Sequence, residues 1–308
     1  MRIRNTVAAV ALALGCTANP SPSPLASPSN TQGARGTLFI VGGGTQSPEL
    51  VQRFVDLAGG AGKARIAILP MATSDAVETG AEKKAQLDSL GAQSFVVNVT
   101  RSQADGDSVA RLLGTATGIW FPGGDQSLLT AALQGSAALR AIHERYLAGA
   151  VVGGTSAGAA VMSDSMITGN QFWPGMTTAV DSPSYSRITR HALEIIPGLG
   201  FLHGAIVDQH FIRRQRSNRL ISVVLERPSL LGVGIDEGTV LMVTPDGMWS
   251  VLGRSAIVVF DARSANITRV GSPLLGATNM RVSVLPAGST YEPRSGAVTL
   301  PNATQASR

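Results

Sequence analysis

Apolar positions along the chain fall into short β-branched runs, each followed by glycines or a polar cluster and then by a segment with helical spacing. Residues 37–41 lead into Gly42-Gly43-Gly44-Thr45, after which Leu50, Phe54, Val55 and Leu57 form an approximately helical stripe. Residues 65–69 open onto Pro70-Met71-Ala72-Thr73-Ser74, and 93–99 predict another strand. Gly118–Phe121 ends in Pro122-Gly123-Gly124-Asp125-Gln126, ahead of a helix over about 127–133. Residues 150–152 end in Gly153-Gly154-Thr155-Ser156, 205–207 in Asp208-Gln209-His210, and Leu231–Ile235 in Asp236-Glu237-Gly238. Strands alternating with helices predict a three-layer α/β fold, a mostly parallel sheet built from right-handed crossovers with helices on both faces. Ligands bind such sheets beyond the carboxyl ends of the strands. Every polar cluster falls there, so distant segments are expected to converge on one edge.

After Glu237 the texture changes. Thr239–Val243, the turn Pro245-Asp246-Gly247, and the runs 248–252 and 256–260 predict an antiparallel C-terminal extension, with 280–285 as a last strand. Residues 163–200, including Gly169-Asn170-Gln171-Phe172-Trp173-Pro174, show no regular period and read as loops over the site. No linker interrupts 37–300, which is expected to be a single catalytic domain followed by a polar tail, 301–308.

The N-terminus is different in kind. Met1-Arg2-Ile3-Arg4 is a positive start and residues 6–15 are apolar, too short to span a bilayer at about 20 residues per helix. Residues 1–15 therefore predict an export signal. Ala13-Leu14-Gly15-Cys16 resembles a bacterial lipobox, with Ala13 where leucine is commoner, and implies a lipid on Cys16 as the sole attachment to a membrane. An ordinary signal peptide with an incidental cysteine is the alternative. Residues 16–36, with Pro20-Ser21-Pro22-Ser23-Pro24, read as a solvated tether. The expected location is the cell envelope or the exterior.

Composition narrows the chemistry. At 44% hydrophobic and 15% charged, the 308 residues are those of a globular protein. The net charge of +5 falls to +3 if Arg2 and Arg4 leave with the signal. Lysine occurs only at Lys63, Lys83 and Lys84, so the basic excess is arginine, suited to bidentate carboxylate recognition. There is no basic run or zinc-finger spacing, so nucleic acid is not an expected partner. No metal motif occurs, and Gly42-Gly43-Gly44 is neither a dinucleotide fingerprint nor a P-loop; neither metal nor cofactor is expected. Cys16, the only cysteine, leaves no disulfide within the chain.

Gly154-Thr155-Ser156-Ala157-Gly158 is a G-x-S-x-G between a strand and a small-residue run. Flanking glycines let backbones approach, Ser156 is thrust from the sheet edge, and the Ala157 N–H faces a developing oxyanion. A phosphate-binding turn is the competing reading. A serine nucleophile needs a base, and of four histidines only His210 follows a strand at the expected edge; His143 falls on a predicted helix surface, His191 and His203 in or near loops. The third member should be a carboxylate, Glu237 or its neighbour Asp236. The order Ser, His, acid differs from the usual α/β-hydrolase order.

Four motifs in order, Gly123-Gly124-Asp125-Gln126, Gly153 through Ala159, Asp208-Gln209-His210-Phe211 and Gly234-Ile235-Asp236-Glu237, resemble those of the serine peptidase family that contains cyanophycinase and the aspartyl dipeptidase peptidase E. The resemblance implies a fold similar to class I glutamine amidotransferases, with Ser156 as nucleophile, His210 as base and Glu237 as acid. It further implies an oxyanion hole from Gly124 and Ala157, and substrate contacts from Gln126, Asp208, Gln209, Arg214, Arg216 and Arg219; a solvated helix face is the alternative for the arginines. Relatives are often dimers, which implies a homodimer. The expected activity is exopeptidase cleavage of cyanophycin, a polyaspartate with an arginine on each side chain, to β-Asp-Arg dipeptides. An aspartyl or isoaspartyl peptidase acting on another extracellular peptide, or an inactive lipid-anchored binding protein, would use the same scaffold.

Overall fold

The computed structural model describes residues 33–172, 180–181, 185–268 and 273–301. The expected signal and Cys16 lie outside them. Chain order runs β1 (Leu38–Val41), α1 (Pro48–Leu57), β2 (Arg65–Ile68), α2 (Ala76–Ser89), β3 (Gln93–Val96), α3 (Asp107–Leu113), β4 (Gly118–Phe121), α4 (Gln126–Leu133), α5 (Ala137–Leu147), β5 (Val151–Thr155) and the short α6 (Ala157–Ala160). Next come β6 (Ser165–Gln171), β7 (Val180–Asp181), β8 (Leu193–Pro197), β9 (Ala205–Gln209), α7 (Ser217–Glu226) and β10 (Leu231–Ile235). The C-terminal strands are β11 (Thr239–Val243), β12 (Trp249–Gly253), β13 (Ala256–Asp261), β14 (Asn266–Ile267), β15 (Ala277–Thr278), β16 (Arg281–Pro286), β17 (Thr290–Glu292) and β18 (Ala297–Thr299).

The larger sheet has the order β18-β17-β12-β11-β1-β5-β4-β2-β3. Its five strands β1 to β5 are mutually parallel, and β11, β12, β17 and β18 extend it antiparallel. Side chains alternate across it, as period-two geometry requires. Leu38, Ile40, Ala67, Ile119, Phe121 and Val152 enter one core, while Phe39, Val41, Ile66, Ile68, Trp120 and Val151 enter the other. α1 covers the second face with Leu50, Val51, Phe54 and Val55, and Phe54 stands edge-on to Trp120 at 4.8 Å. Ser47 caps this helix and Pro48 begins it, which is why the chain turns helical directly after the glycine loop.

Sequence pattern places all the polar clusters on one sheet; the structure divides them between two. β9 and β10 pair in parallel in a separate four-stranded sheet, order β16-β13-β10-β9. A strand buried on both faces reads the same in either sheet, so nothing in its own residues says which neighbours it takes. One face of this second sheet (Ala205, Val207, Leu231, Val233, Ile235) joins the core beneath the large sheet, and the other packs on α7 through Ile206, Leu220, Val223 and Val224. Gly232 and Gly234 make that packing possible, since a Cβ would lie 2.5 Å from Val224 Cγ2 at Gly232 and 2.3 Å from the Phe211 ring at Gly234.

Three further departures are local. The 163–200 segment holds a three-stranded sheet, β7-β6-β8, where loops are expected, because Met166 and Ile167 are the only adjacent apolar pair to betray β6; Trp173 and Pro174 lie outside the described residues. Two strands, β17 and β18, follow the one expected to be last. Packing also begins before residue 37, with Ala34 buried and Gly36 tight against the Ala150 carbonyl and Tyr146.

Gly234→Val forces a side chain into the Phe211 ring, and overpacking of this kind costs about 1–3 kcal/mol. The urea midpoint is expected to fall accordingly; an unchanged midpoint would contradict this packing.

Candidate active site

Ser156 follows β5 with φ 54° and ψ −111°, a backbone conformation rare outside glycine and worth of order 1–3 kcal/mol of strain. The two motif glycines are what permit it. A Cβ at Gly154 would sit 2.4 Å from the Gly158 carbonyl oxygen, and one at Gly158 would sit 2.0 Å from that of Phe121. The Ser156 N–H donates to the Val41 carbonyl at 3.1 Å, tying the turn to the end of β1.

His210 and Glu237 arrive from the ends of β9 and β10. Ser156 Oγ lies 2.9 Å from His210 Nε2, and His210 Nδ1 lies 2.6 Å from Glu237 Oε1. Such a chain fixes the imidazole tautomer with its proton on Nδ1 and leaves Nε2 to accept from the hydroxyl. Burial lowers the His210 pKa below the ordinary imidazole value; the Glu237 hydrogen bond opposes this, and the nearby Arg214 charge adds to the lowering. At neutral pH the ring is therefore the free base. Asp236, the other candidate acid, points elsewhere: it accepts from the Arg213 N–H at 2.9 Å and the Ser255 hydroxyl at 2.7 Å.

The sequence reading finds no role for Gly42-Gly43-Gly44 beyond excluding a nucleotide loop. In the structure this loop carries both partners of the serine. The His210 N–H donates to the Gly42 carbonyl at 2.6 Å and the Gly238 N–H to that of Gly43 at 2.8 Å. A Cβ at Gly43 would lie 2.3 Å from His210 Cε1, and one at Gly44 would lie 2.9 Å from Glu237 Cβ. A run of three glycines directly after a strand was the available signal.

Gly123 faces the serine, its would-be Cβ 3.3 Å from Ser156 Cβ. Gly124 takes φ +135° because the Ala72 carbonyl fills the space a side chain would need. That carbonyl accepts from the Asp125 N–H at 2.7 Å, so the Pro70–Ser74 cluster serves as a brace. Ala157 begins α6, where the first amides have no partner inside the helix. Gln126 is buried and donates to the Ile167 carbonyl at 3.0 Å, linking α4 to β6.

The remaining expected contacts divide. Arg214 is exposed. Arg219 is buried and forks onto Asp208, its Nε donating to Oδ2 at 2.7 Å and its Nη2 to Oδ1. This arginine is thus neither on a solvated face nor free to clamp a ligand, and Asp208, wholly buried, already has both oxygens engaged. Arg216 donates from Nη1 to the Gln209 carbonyl at 2.8 Å and to the Gln209 side-chain oxygen, while its Nε is buried with no hydrogen-bond partner among the described residues. Burial, followed by the charge of Arg219, pushes its pKa down to about 10, leaving it cationic at neutral pH. His143, expected on a helix surface, is half-buried on α5, where it stacks on Phe201 at 4.2 Å and meets the Leu199 carbonyl at 2.8 Å.

Comparison with known proteins agrees with this architecture. A cyanophycinase from Trichormus variabilis is 30% identical over 272 residues, covering 84% of this chain and 86% of that protein. One from Geminocystis herdmanii is 32% identical over 267 residues, covering 83% and 93%, and one from Synechococcus elongatus is 32% identical over 273 residues, covering 85% and 80%. Among solved structures, a peptidase from an acI-B1 actinobacterium superposes with a TM-score of 0.62 at 24% identity, covering 84% of this chain and 97% of that one, a likeness of fold. The model of Peptidase family S51 matches residues 38–251, and with the relatives above it makes this chain a serine-type peptidase belonging to family S51.

Proposed function

We propose that the protein hydrolyses cyanophycin, releasing β-Asp-Arg dipeptides through an acyl-enzyme on Ser156. The observation that carries this reading is the hydrogen-bonded chain Ser156–His210–Glu237, standing in a peptidase whose relatives are cyanophycinases. His210 Nε2 takes the hydroxyl proton as Oγ attacks the aspartyl backbone carbonyl, and Glu237 holds the resulting imidazolium. The oxyanion rests on the N–H groups of Gly124 and Ala157. The proton on His210 passes to the departing amine; water then attacks the ester with His210 again as base, and Ser156 regains its proton.

Arg214 and Arg216 receive the free α-carboxylate of the substrate's arginine. Exposure supports this for Arg214, and an Nη2 that no hydrogen bond among the described residues engages supports it for half-buried Arg216, whose Nη1 is held by Gln209 and Asp208. Asp208 and Arg219 act beneath them as a buried brace, holding α7 and Gln209 in place. The chain is exported by residues 1–15 and anchored through Cys16, a reading that rests on the sequence alone. Export suits a scavenger of polymer released by other cells.

Incubation with the insoluble polymer and identification of the soluble products tests the assignment. β-Asp-Arg is expected, and Ser156→Ala should lower the rate at least about 1,000-fold without changing the fold; a protein active only on Asp-X dipeptides would point to another aspartyl peptide instead. The acid limb of kcat/KM should lie below the ordinary histidine value of about 6.5. Because Arg214 disfavours the imidazolium, Arg214→Gln raises the His210 pKa and should move that limb to higher pH. Asp208→Ala strands the buried Arg219 charge, and denaturation should register a loss of about 3–5 kcal/mol.

A further inference from the structure

Beside the Glu237 loop the surface carries a hollow of about 540 Å³. Thr45, next to the glycine that packs on Glu237, and Gly238, next to Glu237 itself, form its wall toward the active site. Leu50, buried, and Leu252, half-buried, contribute apolar surface. Arg53 and Arg254, both exposed, provide two cations, and Glu49 provides an anion whose pKa is held below the ordinary carboxylate value by the Ser47 side chain. Although Glu49 and Arg53 are one helical turn apart, they do not pair, and among the described residues neither Arg53 nor Arg254 draws an ion pair. Arg254 also borders a second hollow of about 590 Å³, lined as well by Arg213, Asp236 and Glu237, which joins this surface to the edge of the site.

We propose that this hollow binds a second unit of the polymeric substrate, one that is not being cleaved, through the free carboxylate and the guanidinium of its arginine. The inference rests on the cyanophycin reading above. Two unpaired guanidinium groups suit the carboxylate, Glu49 suits the guanidinium, and the leucines suit the methylene stem between them. A ligand bearing only negative charge would be repelled by Glu49, and a purely cationic one by the two arginines. The repeating unit of the polymer carries both charges on one flexible arm.

Position decides which substrates can use the hollow. From Ser156 Oγ the route crosses two hydrogen bonds, 2.9 Å and 2.6 Å, with an imidazole between them before Glu237 is reached. Cleavage needs one unit on either side of the scissile bond, so a two-unit fragment has both of its units committed at the serine, whereas a long chain has further units free to enter the hollow. Binding here would keep the enzyme on the polymer between successive cleavages.

The test compares soluble long polymer with a two-unit β-Asp-Arg fragment, using wild type, Arg53→Gln/Arg254→Gln and Glu49→Gln. In both variants KM for the long polymer is expected to rise severalfold, more in the double variant than in Glu49→Gln, with kcat unchanged, because exposed ion pairs are individually weak. Kinetics on the fragment should match wild type, which also serves as the folding control. Added salt should raise the wild-type KM for long polymer more than that of the double variant. Equal KM values for wild type and both variants on long polymer would overturn this site while leaving the substrate reading intact. A wild-type protein that leaves both substrates uncut would overturn the substrate reading and this inference together.

Discussion

The arrangement depends on one close approach of main chain, the loop Gly42–Gly43–Gly44. Its strand, β1, sits beside β5 in the large sheet, and the Val41 carbonyl receives the Ser156 N–H. Its next two carbonyls receive the N–H groups of His210 and Gly238, at the ends of the two parallel strands of the other sheet. Three polypeptide segments are thereby registered against one another by backbone hydrogen bonds, which vary less than side-chain contacts. The imidazole lies where a Cβ of residue 43 would be. Any side chain there would push the imidazole away from the Ser156 hydroxyl.

Around that junction the charges are ordered by depth. Asp208 and Arg219 neutralise each other out of contact with water, Arg216 is partly covered with one nitrogen unsatisfied, and Arg214 lies open. Positive charge near His210 opposes protonation of its ring. The guanidinium groups and burial act in the same direction, keeping the ring neutral, and the carboxylate of Glu237 only partly offsets them.

Much of this was legible from residue order. Strand tips announce themselves by β-branched runs ending in glycine or polar clusters, and the G-x-S-x-G spacing encodes the tight turn that Gly154 and Gly158 make. The choice of Glu237 over Asp236 was not legible from spacing, because adjacent residues at a strand end point to opposite sides and only the partners, His210 for one and Ser255 for the other, separate them. The division into two sheets was hidden for a similar reason: β10, with glycine at alternate positions, looks like any buried strand until α7 and Phe211 are seen to occupy the vacant face. Burial of Arg219 was equally invisible, since an arginine in an amphipathic helix ordinarily belongs to the wet side. The partner that draws it inward is eleven residues upstream, on β9.

Ser156 and His210 hang from different sheets that share a core yet are stitched at this edge by a handful of amide contacts. Loosening the seam by a fraction of an ångström would separate hydroxyl from imidazole while leaving each sheet whole. Loss of turnover on heating would thus run ahead of the loss of helical signal, and the reaction itself would be the most sensitive gauge of how tightly the two halves are held.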